Sequence, residues 1–210
     1  MIIYVDWVDL CWKSTLIRKI EELFSNKFDK IHIFKTDISR LPRQSEWNET
    51  MQLKRVDIWK FYHEQINKAI DLLKNNKDQL IILDRFFMSE IVYWNVMRKY
   101  DFKELPEVEA LYNQLLLKIQ IINESFWWFH ILYLNDDVDN IMNRFNKVWD
   151  DYLSKKEQFI DIMNLFDKEI TELKEYKIDV QKINVFKDNS YWWDIIENIY
   201  FKNYKYVRER

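Results

Sequence analysis

Ten consecutive residues, Asp6-Trp7-Val8-Asp9-Leu10-Cys11-Trp12-Lys13-Ser14-Thr15, concentrate the chemistry of this chain. With glycine read at Trp7 and Trp12, the stretch becomes Gly, four residues, Gly-Lys-Ser. That pattern turns successive backbone N–H groups onto phosphate oxygens at a helix N-terminus. The main chain from Trp7 through Val8, Asp9, Leu10, Cys11 and Trp12 would form the cradle, and Lys13 would reach the transferred phosphate. The Ser14 hydroxyl would hold Mg²⁺, with Thr15 beside it. A second constellation is Asp84-Arg85, where an apolar run ends abruptly in charge. Asp84 could hold Mg²⁺ through water and Arg85 could fork onto a phosphate; the alternative is a structural pair capping a strand. Arg40 and Arg43 stand in a polar stretch and would suit an anionic substrate group, with a solvated loop as the alternative.

The two tryptophans conflict with this chemistry. Glycine serves at such positions because the backbone needs positive φ or close approach to phosphate. A Cβ resists that conformation, at roughly 1–3 kcal/mol per strained residue, and an indole fills the space. The anomaly extends to the whole chain, which has 0 Gly and 10 Trp in 210 residues. Usage of about 7 % would give roughly fifteen glycines. Abundant Ile, Lys, Asn, Phe and Tyr with scarce Ala and Pro point to an AT-rich gene, which does not explain the tryptophans. One reading is that many Trp letters stand for glycine, from UGA codons read as glycine in the source; deliberate Gly→Trp substitution would leave the same pattern. Trp127-Trp128 and Trp192-Trp193 are pairs at expected element boundaries, whereas Trp47 and Trp59 have no glycine context. A protein that is truly rich in tryptophan is the alternative.

The elements that must position these residues alternate. Residues 2–6 read as a buried strand, and Leu16, Ile17, Ile20, Leu23 and Phe24 repeat at helical spacing over 14–24. Further strands are expected at 30–35, 79–85, 129–135 and 180–186. Helices are expected at 56–74, after Phe86, from Pro106 to 122, at 138–145, at 159–173 and at 194–201. Residues 36–55 read as an irregular polar loop. Asp136 or Asp137 can cap the helix that carries Arg144 and Lys147. The polar stretch that follows completes a candidate lid, 144–156, which would exclude water and supply positive charge. Strand–helix alternation means a parallel α/β sheet with right-handed crossovers. A fully apolar strand at 79–84 is central, and ligands then lie beyond the carboxyl ends of the strands.

Composition bounds the remainder. The length suits one domain, 1–210, and the net charge of -3 implies no nucleic-acid partner. One cysteine allows no internal disulfide, which points to a cytoplasmic protein. No run approaches the roughly 18 apolar residues of a membrane span, and no signal-peptide pattern opens the chain. His32, His63 and His130 are too scattered for a metal site, and His63 reads as a partly buried structural histidine.

In this order and spacing the chain resembles the thymidylate kinase family of P-loop nucleoside monophosphate kinases. The family's first loop runs acid, Gly, x, Asp, x, x, Gly-Lys-Ser/Thr-Thr, and Asp6, Trp7, Asp9, Trp12, Lys13, Ser14 and Thr15 occupy those places. Asp84-Arg85-Phe86 with Ser89 is similar to its Asp-Arg-Tyr and following serine, and Arg144 and Lys147 resemble its lid. The resemblance implies a three-layer fold with a five-stranded parallel sheet in the order 2-3-1-4-5 and a small helical lid. It also implies ATP-dependent phosphoryl transfer to a deoxynucleoside monophosphate, with Mg²⁺. Asp9 would then contact the substrate sugar or its phosphate. Arg85, with Arg40 or Arg43, would hold the acceptor phosphate, alongside Asp84 and Ser89. Lys13 and Arg144 would neutralise the group in flight, and Lys147 would join Arg144 at the nucleotide. Leu10, Val148 and Tyr152 stand where members often carry arginine. The rival expectations are a deoxynucleoside kinase of the same fold and, if Trp7 and Trp12 are real, a non-catalytic chain. Whether the chain forms a homodimer is left open.

Overall fold

The computed structural model describes residues 1–7, 13–36, 49–98, 104–126, 129–145 and 156–184. Five parallel strands form one sheet: β1 (Ile2–Trp7), β2 (Lys30–Lys35), β3 (Gln79–Asp84), β4 (Phe129–Asn135) and β5 (Asp179–Asn184). Their order is β2-β3-β1-β4-β5, as the resemblance implied. Among the described residues six helices flank it: α1 (Lys13–Phe24), α2 (Glu49–Asn75), α3 (Phe87–Arg98), α4 (Pro106–Phe126), α5 (Val138–Phe145) and α6 (Lys156–Glu175). Within the helical layers α2 packs on α4 and α3 on α6.

The apolar runs explain the layering. Every residue of β3 and β4 is buried, as is β1 from Ile2 to Asp6, so each of these strands is covered on both faces. Each buried Ile, Leu or Phe contributes about 1.5–3 kcal/mol of transfer free energy. Over α2, Trp59 lies edge-on to Tyr62 and Tyr112, with ring centroids 5.8 and 5.7 Å away. Tyr62 in turn meets Phe86 at 4.9 Å. These rings join α2 and α4 to the segment that follows β3.

Register places the site. Val5 pairs with Asp84, Lys35 with Asp84, and Trp7 with Leu134. The carboxyl ends of β2, β3, β1 and β4 therefore share one edge of the sheet. From that edge β1 leads outward to β2 and β4 leads the other way to β5, which opens a crevice at the end of β1.

Two boundaries depart from the sequence reading. The expected loop over 36–55 is helical from Glu49, because Glu-Thr-Met-Gln-Leu-Lys-Arg holds no breaker and joins α2 without interruption. The last strand begins at Asp179 rather than 180 and is described as far as Asn184; residues 185–186 lie outside the described residues. The expected C-terminal helix at 194–201 lies outside the described residues, as does the candidate lid apart from Arg144, Phe145 and Lys156.

Candidate functional site

Lys13 is the first residue of α1, reached from the end of β1 through residues 8–12. The first turn of α1 carries no acidic side chain, so nothing of its own offsets the positive end of the helix dipole. Across the sheet edge the Lys13 ammonium donates to Asp84 Oδ1 at 2.7 Å. The Asp84 side chain is nearly buried, at 8 % exposure, while Lys13 keeps 24 %. Ser14 follows, exposed, and Thr15 is half-buried.

Arg85 takes up the turn from β3 to α3 with a left-handed φ of 64°. That conformation costs a non-glycine residue roughly 1 kcal/mol or more, and two hydrogen bonds hold it. The Arg85 N–H donates to Val5 O at 3.2 Å, and the Arg85 carbonyl accepts from Thr36 Oγ1 at 2.7 Å. The guanidinium lies over the Tyr93 ring, 5.6 Å from its centroid. The strained peptide is pinned by β1 on one side and by the end of β2 on the other, so the Arg85 backbone stands at the same sheet edge as Asp84.

Behind them lies a buried polar set. Asp6 is fully buried. It accepts from the Tyr4 hydroxyl, from the Ser89 N–H at 2.9 Å and from the Ser89 hydroxyl. The Met88 N–H donates to Tyr4 Oη at 3.1 Å. Burial and the Asp6 carboxylate push the Tyr4 phenol well above its usual range. Burial and the carboxylates of Glu90 and Asp6 do the same for Tyr62, against a smaller opposing pull from Arg85. Both phenols therefore stay protonated, and that of Tyr4 donates to Asp6.

At the end of β4, Asp137 caps α5 by accepting the Asp139 N–H at 2.8 Å. Its neighbour Asp136, 1 % exposed, accepts the Asp137 N–H at 2.7 Å, Asn140 Nδ2 at 3.2 Å and the Arg144 guanidinium. Arg144, in the last turn of α5, is thereby folded back onto the sheet edge.

Of the residues singled out from sequence, Lys13, Ser14, Thr15, Asp84, Arg85 and Arg144 lie at the strand ends just described. Ser89 is there too, with its hydroxyl and amide both turned to Asp6. Trp7 closes β1. Val8, Asp9, Leu10, Cys11, Trp12, Arg40, Arg43 and Lys147 lie outside the described residues. Thr36 and Arg55 were not anticipated. Thr36 meets Arg85 across 49 positions of sequence, which no local pattern signals. Arg55 is buried on α2 with its guanidinium 4.9 Å from the Trp94 ring centroid. A charged residue on the apolar stripe of α2 was the available hint.

Hard oxygen donors at Ser14 and Asp84 suit Mg²⁺. No three His, Cys, Asp or Glu gather among the described residues, so an ion here would complete its shell with phosphate oxygens and water. No helix among the described residues is long and apolar enough to cross a membrane.

The parallel 2-3-1-4-5 sheet between helical layers is the fold shared with the solved kinase structures on which this chain superposes. No family model matches the chain. It is 26 % identical over 185 residues to the thymidylate kinase of Campylobacter jejuni strain RM1221, covering 86 % of this chain and 88 % of that one. Among solved structures it superposes on Candida albicans thymidylate kinase with a TM-score of 0.62 at 19 % identity, over 94 % of this chain and 91 % of that one. It also superposes on the deoxyadenosine kinase of M. mycoides, solved with dCMP and a flexible dCDP, with a TM-score of 0.60 at 16 % identity (94 % and 97 % covered). The Bacillus subtilis YorR protein, solved with phosphorylated GDP, gives a TM-score of 0.60 at 17 % identity (96 % and 94 % covered).

Proposed function

We propose that this chain transfers a phosphoryl group from ATP to a deoxynucleoside monophosphate of the dTMP type, giving the diphosphate. The observation that carries the reading is the convergence of Lys13, Asp84 and Arg85 within one sheet edge. Lys13 belongs to the donor side, because it follows the loop and begins a helix. Arg85 belongs to the acceptor side, because the strained turn after β3 projects it from the neighbouring strand. Phosphoryl transfer asks little covalent chemistry of the protein; it asks that two phosphates be aligned and their charge neutralised. Lys13 meets the phosphoryl group in flight, Arg85 with Arg40 or Arg43 holds the acceptor phosphate, and Arg144 with Lys147 adds charge from the lid side. Ser14 and Asp84 would hold Mg²⁺, which would supply positive charge to the donor phosphates. Asp9 meets the acceptor sugar or its phosphate.

The likeness to a solved deoxyadenosine kinase favours one second reading, a deoxynucleoside kinase. Coupled ATP turnover with dTMP against thymidine separates the two. Turnover of dTMP supports the monophosphate kinase; turnover of thymidine alone reverses the assignment. Glycine at positions 7 and 12 would clear space for phosphates beside the loop, so the assay is run on the chain as written and on its Trp7→Gly/Trp12→Gly variant.

A further inference from the structure

Asp6 is a fully buried carboxylate that no step of the proposed reaction uses. Placing a carboxylate out of water is costly unless hydrogen bonds replace its hydration, and an apolar side chain would fill a central strand with no such cost. What Asp6 does with its hydrogen bonds is therefore informative. It accepts both the N–H and the hydroxyl of Ser89, and the hydroxyl of Tyr4, which itself accepts the Met88 N–H at 3.1 Å. Met88 and Ser89 belong to the first turn of α3, whose amides have no partner within their own helix. β1 thus supplies the cap of α3. One residue earlier, Val5 O holds the Arg85 N–H; one residue later, Trp7 opens the loop toward Lys13. Two consecutive residues of β1 therefore grip the acceptor arginine and the helix after it, with the donor loop beginning at the next.

We propose that Asp6 is a positioning residue, which fixes the start of α3, and with it Arg85, against the end of β1 and so relative to Lys13 at the start of α1. It acts through Ser89 and Tyr4 and touches no substrate. This rests on the kinase reading above, since the distance it sets is that between donor and acceptor phosphates. An acceptor displaced by about 1 Å can lose on the order of a hundredfold in rate while each nucleotide still binds.

The test compares Asp6→Asn, Ser89→Ala, Tyr4→Phe and the Asp6→Asn/Ser89→Ala double variant in whichever background, tryptophan or glycine at 7 and 12, turns over nucleotide. For folded Asp6→Asn the expected result is a fall in kcat of about a hundredfold, with the ATP Kd within roughly threefold of the parent. Amide exchange at Met88 and Ser89 is expected to quicken about tenfold or more. Ser89→Ala should lose about tenfold alone and nothing further in the Asp6→Asn background, because it acts through the same carboxylate. A folded Asp6→Asn chain with parental kcat, or losses that multiply in the double variant, overturns the proposal. If Asp6→Asn does not fold, Tyr4→Phe and Ser89→Ala decide: lowered kcat at unchanged ATP Kd supports it, and parental kcat overturns it. A parent that phosphorylates no nucleotide in either background removes the function and this proposal together, a result distinct from an Asp6 variant that works as well as its parent.

Discussion

Lys13 and Asp84 stand 71 positions apart in sequence, and their side chains meet at 2.7 Å across the ends of β1 and β3. The pair sits where a phosphate and its metal ion would each compete for one partner. Lys13 is a quarter exposed but Asp84 is nearly buried, so losing the ammonium leaves a largely desolvated carboxylate and costs about 1–3 kcal/mol. The catalytic loss should be far larger than this. Lys13→Ala is expected to lower kcat by roughly a thousandfold, the upper end of losses for one oriented donor, with a melting temperature lower by up to about ten degrees. A Lys13→Ala enzyme that keeps a tenth of its activity would show that the transferred group lies elsewhere.

Trp7→Gly and Trp12→Gly address the loop directly. The chain as written is expected to give no heat with ATP–Mg²⁺ in calorimetric titration, because an indole and a Cβ at positions 7 and 12 would compete for the space that bound phosphates need. The double variant is expected to bind in the micromolar range, about 8 kcal/mol. Micromolar binding by the chain as written would overturn the steric argument. An intact mass of the protein made by its own host, read against ten tryptophans, then shows which residue nature places there.

The centre of the sheet was legible because the apolar runs Ile2–Val5, Leu80–Leu83 and Ile131–Leu134, each followed by Asp or Asn, allow little but buried parallel strands. The start of α2 was not legible: residues 49–55 carry no apolar period, and Arg55 earns its burial from Trp94 39 positions later. Arg85 and Ser89 were found as residue types. Their postures were not, because the left-handed turn depends on Val5 and Thr36, and the Ser89 hydroxyl is claimed by Asp6. Pairing at long range sets such orientations, and spacing along the chain does not record it.

Trp59 tests the glycine question from the other side. It is 1 % exposed in the middle of α2 and meets Tyr62, Phe87 and Tyr112. Truncating it to alanine should destabilise the chain by about 3–5 kcal/mol, and glycine by roughly 1 kcal/mol more within a helix. Denaturant unfolding measures both. A Trp59→Gly chain as stable as the parent would show that the buried ring contributes nothing to the fold.

His63 gives a pH dependence with a definite sign. Its Nε2 lies 2.8 Å from Leu111 O and its Nδ1 3.0 Å from the Lys118 ammonium. A carbonyl demands a donor and an ammonium an acceptor, so the ring is neutral with its proton on Nε2. Burial, chiefly, and Lys118 lower its pKa below the usual 6.5, against a smaller opposing effect of the Leu111 carbonyl. A proton then binds the unfolded chain more readily than the folded one. The stability tied to His63 is complete above about 6.5 and is lost as pH falls below that value toward the folded pKa. Melting temperatures at pH 7.5 and 5.5 should fall further for the parent than for His63→Gln. An equal fall in both would remove His63 as the cause.

Asp136 and Arg144 should show the reverse balance to Lys13 and Asp84, with stability exceeding catalysis. Asp136 is buried and anchors the Asp137 amide, Asn140 and Arg144 together. Replacing it by alanine leaves the Arg144 guanidinium, at 18 % exposure, without its carboxylate. A loss of about 2–4 kcal/mol is expected, near the lower end for a broken buried pair because Arg144 still reaches solvent. Arg144→Ala should cost less, about 1–2 kcal/mol, since Asp136 keeps two hydrogen bonds, and it should raise the KM for ATP if the arginine also meets the nucleotide. Two variants of equal stability, both with unchanged KM, would show that the pair neither braces α5 nor serves the site.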